Sequence, residues 1–142
     1  MEVAHLILAL GADLSGRLHL LNSGFDSLSG YFPGIMPVPL YVASKLLFWK
    51  EETGKRYATS IDIIAPDDSV VATVDGDIEV GPTTDPQRPV CHSGLVTFMG
   101  INFHTLGMYK VRQLVNGKVA KVIPLFIEGA TITDTESPDG SD

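Results

Sequence analysis

The sequence contains a single cysteine, Cys91, and no Cys-x-x-Cys pair. One thiol cannot form a disulfide within the chain, and without a pair there is no zinc or redox motif of the usual spacing. Basic residues are also scarce, since 10 Lys and Arg against 17 Asp and Glu give a formal net charge of −7. Because an acidic chain repels phosphate, we expect no nucleic-acid partner.

No apolar stretch is long enough to cross a membrane. The longest, Val3–Leu10, has eight residues and is interrupted by His5, whereas a transmembrane helix needs about 20. It also lacks the basic start of a secretory signal, because Glu2 is the first charged residue. We therefore expect Val3–Leu10 to be a strand, and we predict a cytoplasmic protein without membrane contact.

The length of 142 residues suits one domain with its own core. Residues 1–129 are predicted to form that domain. Residues 130–142 carry four acids and no base, and after Ile132 they contain no apolar residue. Such a segment cannot bury enough apolar surface to offset its ordering entropy, so a disordered acidic tail is predicted.

Short apolar segments separated by turn residues run along the whole chain. Tyr57–Ala65 alternates in the manner of a strand, and Pro66-Asp67-Asp68-Ser69 after it is typical of a type I turn. Asp75-Gly76-Asp77 is interpreted as a second turn. This pattern predicts an all-β fold, a single-domain antiparallel β-sandwich (Ig-like or jelly-roll-like) of about 7–9 strands.

Leu40–Thr53 fits two kinds of structure. Pro39 before it and Gly54 after it are typical helix boundaries, whereas the apolar residues of Leu40–Phe48 would also suit a strand. We interpret it as a strand, because Glu51–Lys55 between two apolar runs indicates a hairpin loop.

Asn116-Gly117 between two alternating runs is the clearest hairpin signal. A two-residue turn predicts that Arg112 faces Lys121, with Lys110 diagonal to them. This basic ridge is one candidate contact surface, and a plain solvated face is the alternative. The face predicted to be buried holds Tyr109, Val111, Ala120 and Val122.

A second candidate contact surface is apolar. Ile35, Met36 and Val38 lie in a loop stiffened by proline, and Trp49 is expected on the opposite face of its strand from the apolar residues. Together they would form the kind of exposed patch that marks association. The alternative is that the loop covers the end of the core.

Motifs for catalysis are missing. Neither G-x-S-x-G nor a phosphate-binding glycine loop occurs. Cys91-His92 would place two side chains on opposite faces of a strand, so they could not act together there. No catalytic residue and no cofactor is therefore predicted.

Metal binding is considered only as an alternative. Asp67 and Asp68, with Asp75 and Asp77, could gather at one end of a sandwich to hold Ca²⁺, which takes six to eight oxygen ligands. Ordinary turns explain the same aspartates. The other histidines, His5, His19 and His104, stand singly in separate segments.

Several motifs occur in a specific order: an apolar first strand, Leu14–Leu21 leading to Gly24-Phe25-Asp26, Phe32-Pro33, Pro39–Val42, Ile61–Ile64 before a Pro-Asp turn, Ile101-Asn102-Phe103, Gly107–Val111, Val115-Asn116-Gly117 and Ile123-Pro124-Leu125. Over residues 1–128 this order resembles an uncharacterised family of small bacterial proteins, a domain of unknown function expected to be a β-sandwich. The family often carries Asp then Gly at the turn after its fourth strand, where this chain has no glycine. The resemblance implies the fold, and it supplies neither a catalytic residue nor a substrate.

The sequence thus predicts a non-enzymatic interaction module that contacts a protein partner or a second copy of itself. The alternative is a sandwich that binds a small ligand or Ca²⁺, in the manner of lectin-like or C2-like domains. An enzyme using Cys91 or the histidines is the third hypothesis.

Overall fold

The computed structural model describes residues 1–15, 17–29 and 32–129, with only the backbone for residues 12–23. Within these ranges the chain forms eleven strands, eight of them with seven residues or more. The strands are β1 (Glu2–Ser15), β2 (Arg17–Ser23), β3 (Ser27–Ser29), β4 (Gly34–Ile35), β5 (Leu40–Phe48), β6 (Lys55–Ile64), β7 (Val70–Val80), β8 (Val90–Phe98), β9 (Asn102–Phe103), β10 (Gly107–Val115) and β11 (Lys118–Glu128). The predicted tail, residues 130–142, lies outside the described ranges.

Two sheets face each other. Sheet I has the strand order β2-β1-β5-β8, and sheet II has the order β3-β11-β10-β6-β7. Neighbouring strands are antiparallel apart from β3, which runs parallel to the end of β11. The prediction of an all-β antiparallel sandwich is confirmed. Among the described residues, no helix is long and apolar enough to span a membrane.

The core lies between the sheets and divides into two clusters. The larger takes residues from β1, β5, β6, β8, β10 and β11, so both sheets contribute to it. The smaller takes Leu46, Phe48, Val80 and Val115 at one end of the sandwich. Since burial of apolar area is worth about 25 cal/mol per Å², this shared core holds the sheets together.

Tyr109 anchors the entry to β10. Its ring packs edge-on against Phe103, with centroids 5.0 Å apart. Its hydroxyl donates to the Thr105 carbonyl oxygen at 2.9 Å, four residues upstream. This arrangement resembles the tyrosine corner of Greek-key sandwiches, in which a buried phenol satisfies the backbone at a crossing between strands.

The Asn116-Gly117 hairpin forms as predicted, but the register beyond it was predicted wrongly. Both residues have positive φ, 51° and 79°, as a type I′ turn requires. The register then shifts, because Ala120 has no partner of its own between Val119 and Lys121. Every later pair moves by one residue, which is the effect of a β-bulge.

The shift turns Val122 to the other face and gives Arg112 a different partner. Arg112 faces Val122 rather than Lys121. Val122 was expected in the core, yet it is 43% exposed on the outer face of sheet II. Tyr109 and Val111 are buried as predicted, because the bulge lies on β11 and leaves the alternation of β10 unchanged.

The strand interpretation of Leu40–Thr53 is confirmed as far as Phe48, and a 3-10 turn, Lys50–Glu52, follows. The hairpin predicted after it is wrong. The preceding strand, β5, lies in sheet I between β1 and β8, whereas β6 lies in sheet II between β7 and β10. The connection therefore crosses from one sheet to the other.

The predicted turn at Asp75-Gly76-Asp77 is also wrong. These residues continue β7 and pair with Ser60, Thr59 and Ala58 of β6. The unbroken pairing of β6 satisfies the backbone groups of this segment, and this tertiary context overrides the preference of Asp and Gly for turns. In the same way, Gly11–Ser15 continues β1 instead of ending it.

The turn after β6 is confirmed. The Asp68 N–H donates to the Ala65 carbonyl oxygen at 2.9 Å, with Pro66 at the first corner. Asp67 accepts a hydrogen bond from the Ser69 N–H at 3.0 Å. Asp68 has a φ of 70°, so an aspartate takes the left-handed conformation that glycine adopts more easily.

The last strands of the two sheets lie on the same side of the sandwich. Sheet I ends in β8, whose nine residues carry no charged side chain and no proline. Sheet II ends in β7, which carries Asp75, Asp77 and Glu79. The gap between these edge strands opens toward the core.

Asn116 provides a test of the hairpin. Its Oδ1 accepts from the Ala58 N–H at 2.9 Å, which ties the turn to β6. Asn116→Ala loses this bond and strains the left-handed backbone, so we expect a loss of about 1–3 kcal/mol in the free energy of unfolding. Asn116→Gly loses only the bond, and its urea midpoint should fall by less. Equal losses in the two variants would contradict this explanation.

Candidate functional site

A polar layer separates the two clusters of the core. Between the clusters, five strands each place a polar residue or glycine in their inward row. These residues are Ser44 on β5, Thr59 on β6, Gly76 on β7, Gly94 on β8 and Gln113 on β10. On β10, for example, Gln113 stands between Val111 of the larger cluster and Val115 of the smaller one.

Gln113 and Ser44 link the two sheets through this layer. Gln113 is 2% exposed, and its Nε2 donates to Ser44 Oγ at 3.3 Å. Its Oε1 is buried and has no partner among the described residues. A buried acceptor left unpaired costs about 1–3 kcal/mol, so this oxygen calls for a hydrogen-bond donor that the described residues do not supply.

The layer opens to solvent as a cleft between β7 and β8. The cleft has a volume of about 180 Å³. Its polar lining includes Ser44, Thr59, Ser60, His92 and Gln113, and Asp75 and Asp77 also contribute atoms. Gly94 keeps it open, because a Cβ there would lie 3.4 Å from Ser44 Oγ and 3.9 Å from His92 Nε2.

The aspartates proposed as calcium ligands lie in two different places. Asp67 and Asp68 are in the turn between β6 and β7, whereas Asp75 and Asp77 lie within β7 on the outer side of sheet II. The hydrogen bonds from the Ser69 hydroxyl and backbone N–H lower the pKa of Asp67. In the part of the chain that the structure describes, no three His, Cys, Asp or Glu side chains are grouped so as to hold a metal ion.

Cys91 and His92 point to opposite sides of β8, as the alternation predicts. Cys91 is a free, exposed thiol on the outer face, and His92 lines the cleft. His5 lies on β1 and His104 follows β9. The side chain of His19 lies outside the described residues.

The predicted basic ridge does not form. The Arg112 guanidinium contacts the Asp62 carboxylate at 2.8 Å, and Thr73 Oγ1 donates to the same carboxylate at 2.5 Å. Lys121 faces Gln113 in the pairing, and Lys110 faces Pro124. The bulge separates Arg112 from Lys121 and leaves it beside Asp62 of β6.

The predicted apolar patch is only partly exposed. Ile35 is 64% exposed and Val38 is also exposed, but Met36 is 4% exposed and belongs to the core. The expectation of an exposed Met36 is wrong, because its N–H bonds the Ile101 carbonyl oxygen at 2.8 Å and draws it inward. Trp49 is exposed directly after β5, as predicted.

A surface that the sequence analysis missed is the outer face of sheet I, which we call the apolar face. The register of β1, β5 and β8 puts one set of alternating side chains outward. Its described members are Glu2, His5, Ile7, Ala9, Tyr41, Ala43, Lys45, Leu47, Cys91, Ser93, Leu95 and Thr97. Glu2 and Lys45 are the charged residues of this described set, one of each sign.

Trp49 borders the apolar face. Its indole N–H donates to the Glu2 carboxylate at 3.4 Å, and Glu2 pairs with Leu47 in the register. A sequence signal for this face existed. Leu40–Phe48 is apolar on both alternating sides, which is typical of a strand covered on both faces.

His5 lies on the apolar face with its Nε2 buried and unpaired among the described residues. Burial lowers the pKa of His5, and the positive charge of Lys45 lowers it further. The unfolded chain, with a histidine pKa of about 6.5, therefore binds this proton more readily than the folded chain does.

The geometry defines an antiparallel β-sandwich with a polar layer in its core and an apolar outer face. A family model described as a family of unknown function (DUF6941) matches residues 6–128. The chain belongs to that family, which confirms the resemblance to an uncharacterised sandwich family. No curated protein matches the chain.

Among solved structures, the chain is similar to the crystal structure of an immunoglobulin-like protein from Pseudomonas aeruginosa. The two share 9% sequence identity at a TM-score of 0.42, over 84% of this chain and 90% of the other.

The ion pair of Arg112 can be distinguished from a basic ridge by substitution. Arg112→Leu leaves Asp62, which is 8% exposed, without its counter-ion. We expect a loss of about 1–3 kcal/mol in the free energy of unfolding, measured by urea denaturation. Lys121→Leu, on the same hairpin, should change stability by less than about 0.5 kcal/mol. A comparable loss from both substitutions would contradict the ion pair.

The lowered pKa of His5 predicts how the free energy of unfolding depends on pH. Because its folded pKa is lowered, stability is retained above the unfolded value of about 6.5 and falls as the pH drops below it. His5→Asn should reduce this fall, measured by urea midpoints at about pH 7.5 and 5.5. Lys45→Met should reduce it less, because burial is the larger cause. If the stability of His5→Asn falls with pH as much as that of the wild type, other titratable groups cause the fall.

Proposed function

We propose that the protein is a non-enzymatic contact module that associates with a second copy of itself through the apolar face of sheet I. The observation that carries this proposal is the composition of that face. Its described side chains include Ile7, Leu47, Leu95 and Tyr41, and its two formal charges, Glu2 and Lys45, have opposite signs.

The two outer faces of the sandwich differ in a way that favours this surface. An antiparallel sheet that faces water on one side normally alternates apolar and polar residues. Sheet II carries charged side chains such as Lys110 and Asp75 on its outer face, together with the exposed apolar side chains of Val122 and Phe126. Sheet I is apolar on both sides of β5, so its outer face has the composition of a surface that is covered.

Electrostatics favour a second copy at this face. Each chain carries a formal net charge of −7, so two copies repel each other over most approaches. A nearly uncharged surface is where this repulsion is weakest. A two-fold axis places the same patch against itself, which lets a single face serve both subunits.

The aromatic side chains of the surface support the same proposal. Tyr41 lies within the apolar face, and Trp49 lies at its border and is 36% exposed. Tyrosine and tryptophan are enriched at protein interfaces because they bury a large area at low entropic cost. Trp49 is also one of the contact residues predicted from the sequence.

The alternative functions have less support. Calcium binding needs the acidic residues to converge, whereas Asp75 and Asp77 lie within a strand and Asp67 and Asp68 lie in a turn. A thiol enzyme needs a base beside Cys91, whereas His92 lies on the other side of β8.

The proposal is tested by light scattering after size exclusion, from about micromolar to sub-micromolar concentration. The wild type should have twice the monomer mass at the higher concentration. Leu95→Asp and Ile7→Asp place a charge in the apolar face, and each should lower the mass to that of a monomer. Val122→Asp is the matched control, because Val122 lies on the outer face of sheet II.

Two outcomes would contradict the proposal. The first is a wild-type protein that stays monomeric over the whole concentration range. The second is dissociation by Val122→Asp with no change in Leu95→Asp. Circular dichroism of each variant separates lost association from lost folding.

A further inference from the structure

The cleft between β7 and β8 lacks a donor for its most buried polar atom. Gln113 donates one Nε2 N–H to Ser44, and Oε1 is the atom of this side chain that has no partner among the described residues. Gln113 is 98% buried and lines the cleft. A donor that enters the cleft would satisfy an atom that the described residues leave unpaired.

The other polar groups of the cleft also favour a donor. The Thr59 hydroxyl donates to the Gly76 carbonyl oxygen at 3.3 Å, which leaves its lone pairs as acceptors. Ser44 Oγ accepts from Gln113 and retains a second lone pair. A ligand that brings several N–H donors on one atom can reach the acceptor atoms of Gln113, Ser44 and Thr59.

The charge around the cleft selects a cation. Among the described residues that line it there is no lysine or arginine, whereas strand β7 at its edge carries Asp75 and Asp77, whose carboxylates lie on the outer side of sheet II. Neither aspartate has an ion-pair partner within the described ranges. Their field attracts positive charge and repels phosphates and carboxylates.

The size of the cleft limits the ligand to a small head group. Its 180 Å³ corresponds to the volume of about six water molecules at roughly 30 Å³ each. The cleft lies at the gap between two edge strands, so a bound cation keeps part of its hydration. This reduces the desolvation cost that a charge meets in a closed core.

We propose that this cleft binds a small molecule through a primary ammonium group, with Gln113 Oε1 as its buried acceptor and with the field of Asp75 and Asp77, on the outer side of the adjoining strand β7, favouring its positive charge. The three N–H donors of an ammonium suit Gln113, Ser44 and Thr59 together. The site lies between the sheets, and it does not depend on the contact surface proposed above.

The test is a titration followed by ¹⁵N–¹H correlation NMR, which reports each amide separately. Ethylammonium chloride is the probe, and such a small ligand should bind with a Kd of about 1 mM or weaker. Its addition should shift the Gln113 side-chain amide and the backbone amides of Gly94 and Gly76. Tetramethylammonium has the same charge but no N–H donor, and it should shift these signals at least five-fold less at equal concentration.

Two glycine variants form a matched pair for the same titration. Gly94→Ala places a methyl group in the cleft at ordinary contact distance, so it should fold and bind ethylammonium about ten-fold more weakly. Gly81→Ala is the control, because a Cβ there meets nothing within 4 Å and Gly81 is not part of the lining. Asp75→Asn with Asp77→Asn should weaken binding several-fold and reduce its salt dependence.

Three results would overturn the proposal. Without localised shifts up to about 100 mM ethylammonium, the cleft holds water only. Equal shifts by tetramethylammonium would mean that charge alone is recognised. Binding of glycerol in place of ethylammonium would assign the cleft to neutral polyols.

Discussion

The apolar core that the two sheets share is the constraint on which the sandwich depends, and the hydrogen bond between Gln113 and Ser44 gives it a direction. Among the described residues this bond joins middle strands of the two sheets, whereas the apolar contacts around it have no preferred direction. Slipping either strand by one residue would turn its polar side chain outward and bring its neighbours into the core. The bond therefore sets how the sheets align, and it places the polar layer between the two apolar clusters.

The sequence predicted correctly those features of the fold that depend on a few neighbouring residues. The left-handed geometry of Asn116-Gly117 and the alternation of Tyr57–Ala65 depend on few neighbours, and both were predicted correctly. The bulge at Ala120 was not predicted, because its neighbours in sequence do not mark it. The assignment of β5 and β6 to different sheets depends on long-range pairing, which alternation alone cannot supply.

The candidate site was largely missed for a related reason. Gln113 follows Val111 by two residues and so falls on the side of β10 that was predicted to be buried, but its significance depends on Ser44, 69 residues away in the chain. Of the residues proposed for contacts, Trp49 lies beside the apolar face, whereas Met36 is in the core and Arg112 is paired with Asp62. Surface roles are harder to predict than buried ones, because one shift of register changes which side chains meet.

The uncharged edge of β8 has a consequence for how the protein behaves at high concentration. Edge strands are commonly protected by lysine, proline or a bulge, and β8 has neither lysine nor proline along its nine residues. No described strand pairs with its outer side, so the backbone groups there form a template onto which another extended chain can add, as in fibril growth. The carboxylates of neighbouring β7 repel a second acidic chain that approaches this edge, and added salt weakens that repulsion.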